Sequence, residues 1–341
     1  MKKNRAGIIL VILLGSISFW FIINNKRSTN KDTLRDFAVK DTASIDKLFL
    51  ADKKGRTITL EKKSLGKWIL NGKYNPRMDV LETLLYTIQK VDVKEPVSKK
   101  AYNNVIKRLS SDAVKCEIYS KGELIKAYYV GSETQDLTGT YMLLIDLTTM
   151  EASAKPFVTY IPGFEGYLTT RYFTEEIGWR DRTVFSYTPS EIKSVRMEVP
   201  NNPEYGYEVL ALDKNVFDLK MISTKKSLPN IDTLAIKQYL SYFQQLNFES
   251  FEVEMSPHEM DSVKNSTPIN IITVTNKEGK INRVKFFSRK LKQGAIEIEG
   301  KKVEFDPERM SAVLDNGKDF VFVQYYTFGK VMPPSSYFQK K

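Results

Sequence analysis

The chain has 341 residues and one histidine, His258, one cysteine, Cys116, and 41 acidic side chains. Nucleophilic cysteine chemistry needs a base beside the thiol, and the only imidazole lies far away in sequence. Val114, Cys116 and Ile118 alternate with Lys115, Glu117 and Tyr119. That is the period of a half-buried strand, with Cys116 on its inner face as a small core residue. His258 lies in Ser256-Pro257-His258-Glu259-Met260, which reads as the start of a surface helix. One His and one Cys leave no His-based zinc site, and a single thiol allows no internal disulfide. Gly-x-x-x-x-Gly-Lys, Gly-x-Ser-x-Gly, paired CxxC and HExxH are all missing. The expectation is therefore no catalytic residue, no metal and no cofactor. A carboxylate pair is the one catalytic device that leaves no mark on spacing, so a carboxylate-dependent hydrolase remains the weaker alternative.

Two clusters have recognition chemistry. Tyr160, Phe164, Tyr167 and Tyr172 crowd around Pro162-Gly163 and Gly166. They can form an aromatic groove for a peptide or glycan, or pack as core and loop. Arg180 and Arg182 flank Asp181 in Trp179-Arg180-Asp181-Arg182-Thr183-Val184-Phe185, either as ligand-binding cations or as a salt-bridged linker packed at a junction. The candidate interaction surface is Tyr160, Phe164, Tyr167, Arg180 and Arg182.

The elements that position these groups follow an uninterrupted apolar run, Ala6 to Ile23, with no charge and no proline. Its helix would span about 27 Å, close to the hydrocarbon thickness of a bilayer. Ser16 and Ser18 offer a signal-peptidase spacing, but Phe19-Trp20-Phe21-Ile22-Ile23 carries the apolar run past it, so a retained anchor is the reading taken. A core helix would keep a polar edge, and a lipoprotein signal needs a cysteine at the cleavage site. Lys2, Lys3 and Arg5 keep the short tail inside, placing the remaining chain outside the cytoplasmic membrane, in a periplasm or at a Gram-positive exterior. The net charge of +11 does not argue for nucleic acid: +6 of it lies in residues 1–35, and the rest is a mixed lysine-rich surface. A polar stretch over residues 24–43 reads as a tether.

Beyond it the chain reads as a weak internal repeat. Ile45-Asp46-Lys47-Leu48-Phe49-Leu50 and Ile192-Lys193-Ser194-Val195-Arg196-Met197 each open a run of short strands leading to an amphipathic helix. The first helix is expected over Asp79–Val91, with Leu81, Leu84, Leu85 and Ile88 on one face. The second is expected over Asp232–Leu246, with Ile236, Tyr239, Leu240 and Phe243. Hairpins follow with turns at Lys121-Gly122 and Asn276-Lys277-Glu278-Gly279. A further helix over Lys99–Leu109 turns Tyr102, Val105, Ile106 and Leu109 inward; its counterpart around Pro257–Asn265 is weak. The expectation is α+β: an N-terminal transmembrane helix followed by two similar modules of mostly antiparallel sheet with packed helices. The divisions are a cytoplasmic tail (1–5), anchor (6–23), tether (24–43), first module (44–173), linker (174–189) and second module (190–338).

Four segments resemble the DUF4340 family of bacterial envelope proteins, closest to its Bacteroidota-type members. They are Ile45-Asp46-Lys47-Leu48-Phe49-Leu50-Ala51-Asp52, Trp68-Ile69-Leu70-Asn71-Gly72-Lys73-Tyr74, Tyr128-Tyr129-Val130-Gly131 and Trp179-Arg180-Asp181-Arg182. The resemblance covers most of the chain after the anchor. It implies an accessory of ABC-2-type export systems, including gliding-motility components, and brings no catalytic residues with it. The function expected is a membrane-anchored extracytoplasmic binding or scaffolding protein. Its partners would be the membrane through residues 6–23 and proteins of a transport complex, with no nucleic acid. A periplasmic ligand or glycan binder is the alternative.

Overall fold

A computed structural model describes residues 35–64, 66–291, 294–298, 301–314, 317 and 319–340. The protein is α+β with mostly antiparallel sheet, and it divides into two compact units between Asp181 and Arg182. Among the described residues no helix is long and apolar enough to cross a membrane. The expected anchor at 6–23 and tail at 1–5 lie outside the described residues.

In the first unit the elements run β1 (Ile45–Ala51), β2 (Thr57–Ser64), β3 (Lys67–Leu70), α1 (Met78–Lys90), β4 (Asp92–Pro96), α2 (Lys99–Asp112), β5 (Val114–Ser120), β6 (Glu123–Glu133), β7 (Thr140–Leu144) and β8 (Phe157–Tyr160). One eight-stranded sheet results, in the order β3-β2-β1-β5-β6-β7-β8-β4, antiparallel throughout. The β5–β6 hairpin turns on Lys121 and Gly122, at φ 54° and 78°, the pair of left-handed residues that a two-residue loop requires. Leu81, Leu84 and Ile88 of α1 are buried against one sheet face with Cys116, Ile118, Tyr128 and Met142. The alternate residues Tyr129, Tyr141 and Leu143 face the other way, where Val105 and Leu109 of α2 cover them. A short helix, α3 (Glu176–Trp179), ends the unit. The Trp179 ring stacks on Phe173 at 4.7 Å and its indole N–H donates to the Phe173 carbonyl at 2.9 Å.

The second unit runs β9 (Thr183–Phe185), β10 (Ile192–Glu198), β11 (Tyr207–Asp213), β12 (Val216–Met221), α4 (Thr233–Ser241), β13 (Leu246–Asn247), β14 (Ser250–Phe251), α5 (Pro257–Asn265), β15 (Asn270–Asn276), β16 (Ile281–Lys290), β17 (Ile296–Ile298), β18 (Lys301–Val303), β19 (Phe305–Val313), β20 (Phe320–Gln324) and α6 (Tyr325–Phe328). Its main sheet, β12-β11-β10-β15-β16-β19-β20-β14, is again eight-stranded and antiparallel. Ile236, Tyr239, Leu240 and Phe243 seal one face with Val195, Ile272, Val284 and Phe286.

Strand for strand the two sheets follow the same order, and their registers agree. In the first, Ile45 faces Ser120 and Lys47 faces Tyr119, a one-residue shift. In the second, Ile192 faces Asn276 and Ser194 faces Thr275, the same shift at the same place. Cys116 opposite Tyr128 matches Ile272 opposite Val284, and Val130 opposite Met142 matches Phe286 opposite Ala312.

Three expected boundaries move. The expected tether is folded from residue 35 onward: Phe37 is buried edge-on to Tyr128 and Phe157, and the Val39 amide donates to the Ile88 carbonyl at 3.0 Å. A lone apolar pair in a polar stretch gives no periodic signal, so the sequence hides it. The expected linker, 174–189, is likewise split between the units: Trp179 belongs to the first core, Val184 and Phe185 to the second. The helix expected to reach Leu246 ends at Ser241. There Phe243 and Gln244 turn by bonds to carbonyls three residues back, and Leu246 pairs with Phe185 in β9. The core stripe, at Ile236, Tyr239, Leu240 and Phe243, spans that change without interruption, which is why periodicity overruns it.

A candidate binding cleft beside the second helix of the second unit

The sequence-derived surface is dispersed. Tyr160 is half-buried at the end of β8, opposite Asp92, and Tyr167 is half-buried before Leu168. Phe164 is 39% exposed, and its ring lies under the Arg171 guanidinium at 4.4 Å. Arg171 also donates to the Thr87 hydroxyl at 2.8 Å, so this pair ties the loop to α1. Tyr172 is core: its hydroxyl meets that of Tyr128 at 3.1 Å. Arg180 lies 4.0 Å over the Tyr74 ring in the first unit, and Arg182 donates to the Glu249 carbonyl at 2.8 Å in the second.

The two chemical singletons are placed as their types demand. Cys116 is fully buried, and burial pushes its thiol up to about 12, which removes it as a nucleophile. His258 is exposed on the first turn of α5.

Three carboxylates held below their usual range, Asp52, Glu117 and Glu249, are committed to fixed partners. Burial works against the charge of Asp52, but the Thr174 hydroxyl, Arg56 and two backbone amides outweigh it and hold the acid well below its usual range. Glu117 is treated the same way: burial raises it, while Lys115 and Tyr119 bring it below its ordinary value. Arg309 holds Glu249 down through a bidentate pair at 2.9–3.1 Å. These shifts suit ion pairing; a general acid would be shifted the other way.

Among the described residues a candidate site is built around α5. Local signals make this helix. Ser256 caps it, accepting from the Glu259 amide at 3.3 Å, while Glu259 accepts from the Ser256 amide at 2.8 Å; Pro257 fills the first position. Its apolar stripe is only Met260 and Val263, and none of its side chains is buried. A cleft of about 570 Å³ opens beside it. His258, Glu259, Ser262 and Val263 line it from the helix, and Ser266, Thr267 and Ile269 from the segment leading into β15. Met255, Ser288, Lys290 and Phe305 complete the wall. The volume falls within the range of small-molecule sites, about 300–1,000 Å³.

The first unit treats its second helix differently. Ser98 caps α2, and Val105 and Leu109 are buried with Ala113 and Leu143. Leu109 can sit down because residue 131 is glycine: a Cβ there would lie 2.7 Å from Leu109 Cδ2. The residue at the same register position of β16 is Phe287, only 2% exposed. A buried phenyl ring replaces the bare backbone, and no leucine is seated there.

Two other clefts are already satisfied internally. One, of about 350 Å³ beside the start of α2, has Asp136 taken by Thr134 and Thr138 and Lys94 donating to Thr138. Another, of about 250 Å³, is filled with the Asp52–Arg56–Glu175 ion pairs. In the α5 cleft, by contrast, polar side chains stand beside an apolar wall. Glu259 is engaged by the cap and Ser266 donates to the Val263 carbonyl, while Lys290 makes no ion pair among the described residues.

No family model, curated protein or solved structure matches the chain. The assignment of function therefore rests on the residues themselves.

Proposed function

We propose that the protein is a membrane-anchored extracytoplasmic binding protein whose ligand or partner engages the cleft beside α5. The carrying observation is the difference between two equivalent helices. One buries Val105 and Leu109 and leaves about 350 Å³ of internally satisfied cleft beside its start; the other buries no side chain fully and leaves about 570 Å³ open beside it. The apolar run at 6–23 with its basic flanks supports the anchor and the outward orientation. The common strand order and register shift support descent of both modules from one duplicated α+β unit. Divergence of one copy is then the route by which a sealed interface became a binding site. The DUF4340 resemblance supports a role beside an ABC-2-type export system, with the cleft facing a subunit or its cargo.

The test uses the full chain in its own membranes. A photoreactive amino acid at position 262 should give adducts, and the same group at position 103, on the exposed side of α2, should not. A reporter after Lys341 should be active only as a type that works outside the cytoplasm, and alkaline extraction should leave the chain in the membrane. Equal labelling from both positions would remove the cleft from the account, and release by alkali would remove the anchor.

A further inference from the structure

We infer that the α5 cleft takes a single-chain amphiphile with a carboxylate head, an acyl chain of medium length being the simplest case. This rests on the reading of the cleft as the binding site and names its ligand class. The apolar part of the wall comes from three different elements: Val263 on the helix, Ile269 before β15 and Phe305 at the start of β19. Met255 adds an unbranched side chain that adjusts to irregular apolar shapes. Such a wall favours a flexible hydrocarbon over a planar polar ring. The head is specified by Lys290 on the last residue of β16, with no carboxylate of the described residues paired to it. The one acid in the lining, Glu259, accepts from both the Ser256 amide and hydroxyl at 2.8 Å through one oxygen, Oε2, so that oxygen is directed to the helix cap. An ammonium beside an apolar wall, with the neighbouring acid occupied elsewhere, matches a monoanionic head on a hydrocarbon tail. A dianionic sugar phosphate would find one permanent cation, Lys290, with His258 on the helical wall, and a neutral glycan would meet too much hydrocarbon.

The source of such a ligand is either free carboxylate or the bilayer beside the proposed anchor, and the two arms of the test separate them. The full chain is placed in nanodiscs of zwitterionic lipid and irradiated with a diazirine-bearing dodecanoic acid, and the adducts are mapped by mass spectrometry. Labelling is expected on the peptides carrying residues 255–269 and 305. Dodecanoate should compete, and each methylene removed from the competitor should weaken it about fourfold, the loss of one buried CH₂. Dodecanol should compete about tenfold worse, and Lys290→Met should abolish that preference, because the charged hydrogen bond is what distinguishes the two. Val263→Glu, on a helix face with no buried residue, should block labelling while leaving the thermal transition in place. In the second arm the same probe is used without soluble competitor, and part of the zwitterionic lipid is replaced by a long single-chain carboxylate held in the disc; reduced labelling assigns the ligand to the bilayer, and undiminished labelling assigns it to the free pool. Labelling that ignores chain length, or that Lys290→Met leaves selective, overturns the ligand class. If the amphiphile fails while position 262 still yields protein adducts, the class falls and the binding reading stands. If both fail, both fall.

Discussion

Helices α2 and α5 occupy the same place in the order of their units, yet they are stabilised by opposite means. In α2 the cap is a single bond from the Ala101 amide to Ser98 at 3.3 Å, and the helix is held by Val105 and Leu109 in a small separate core. In α5 the cap is a reciprocal box, and the helix buries none of its side chains. Helices this short are marginal in isolation, so tertiary packing normally supplies most of their stability. The contrast teaches that a helix can be released from packing when its termini are locally satisfied, and that the space it gives up becomes a cavity.

The largest expected effect lies on the packed side. Leu109→Ala should cost the first unit about 2–5 kcal/mol, the range for a buried leucine whose site collapses incompletely. Urea unfolding followed by the reactivity of Cys116 isolates this unit, because the thiol reacts only when its core opens. A loss below about 1 kcal/mol would mean that α2 is not sealed either, and the comparison would lose its basis. Next comes Gly131→Ala, whose new Cβ must displace the end of Leu109. It should cost about 1–3 kcal/mol alone and less in the Leu109→Ala background, where only the 3.1 Å approach to the Tyr141 carbonyl remains. Additive effects would show that glycine is not what seats the leucine.

Acidification acts on both units in the same direction and tests whether they differ in anything but packing. Asp52 in the first unit and Glu249 in the second are held below their ordinary values by their partners. A carboxylate lowered in the folded state adds stability that is complete above its unfolded value, about 4, and is lost as pH falls further. Thermal transitions of both units should therefore hold steady from neutral pH to about 5 and decline below about 4. Asp52→Asn should flatten the decline in the first unit only. The smallest effect is Val263→Ala in α5, expected within about 0.5 kcal/mol because the side chain is only half-buried and lines the cleft. The same truncation that is costly at Leu109 is then nearly silent here. A loss above about 1 kcal/mol would mean that α5 is packed after all.

Much of this architecture is legible locally. Strand alternation places Cys116 inward, glycine marks the hairpin turns, and the spacing of Leu81, Leu84 and Ile88 draws α1. The cleft beside α5 is not legible, because it depends on the pairing of β16 with β19 and on a phenylalanine standing where the equivalent register position of the first sheet has a glycine. Neither Gly131 nor Phe287 is unusual for a strand when read alone. The aromatic cluster fails for a related reason. Tyr172 and Phe164 are eight positions apart in one loop, yet one caps a core through Tyr128 and the other lies on Arg171. Composition shows that rings are present; only the fold decides which are covered. The short strands β4 and β14 escape notice because they sit at sheet edges, where one row of hydrogen bonds suffices and no apolar run is needed.

The seating of Phe37 carries a mechanical consequence. Residues 36–39 enter the first core ahead of its first strand, so a load on the chain from that side meets the fold there. It arrives first at the Lys126 ammonium, which donates to the Asp36 carbonyl at 2.6 Å, and then at the Val39–Ile88 bond. Beneath them, the ring of Phe37 is wedged between Tyr128 and Phe157. Such a pull would thus draw a plug from the first core before it disturbed any strand.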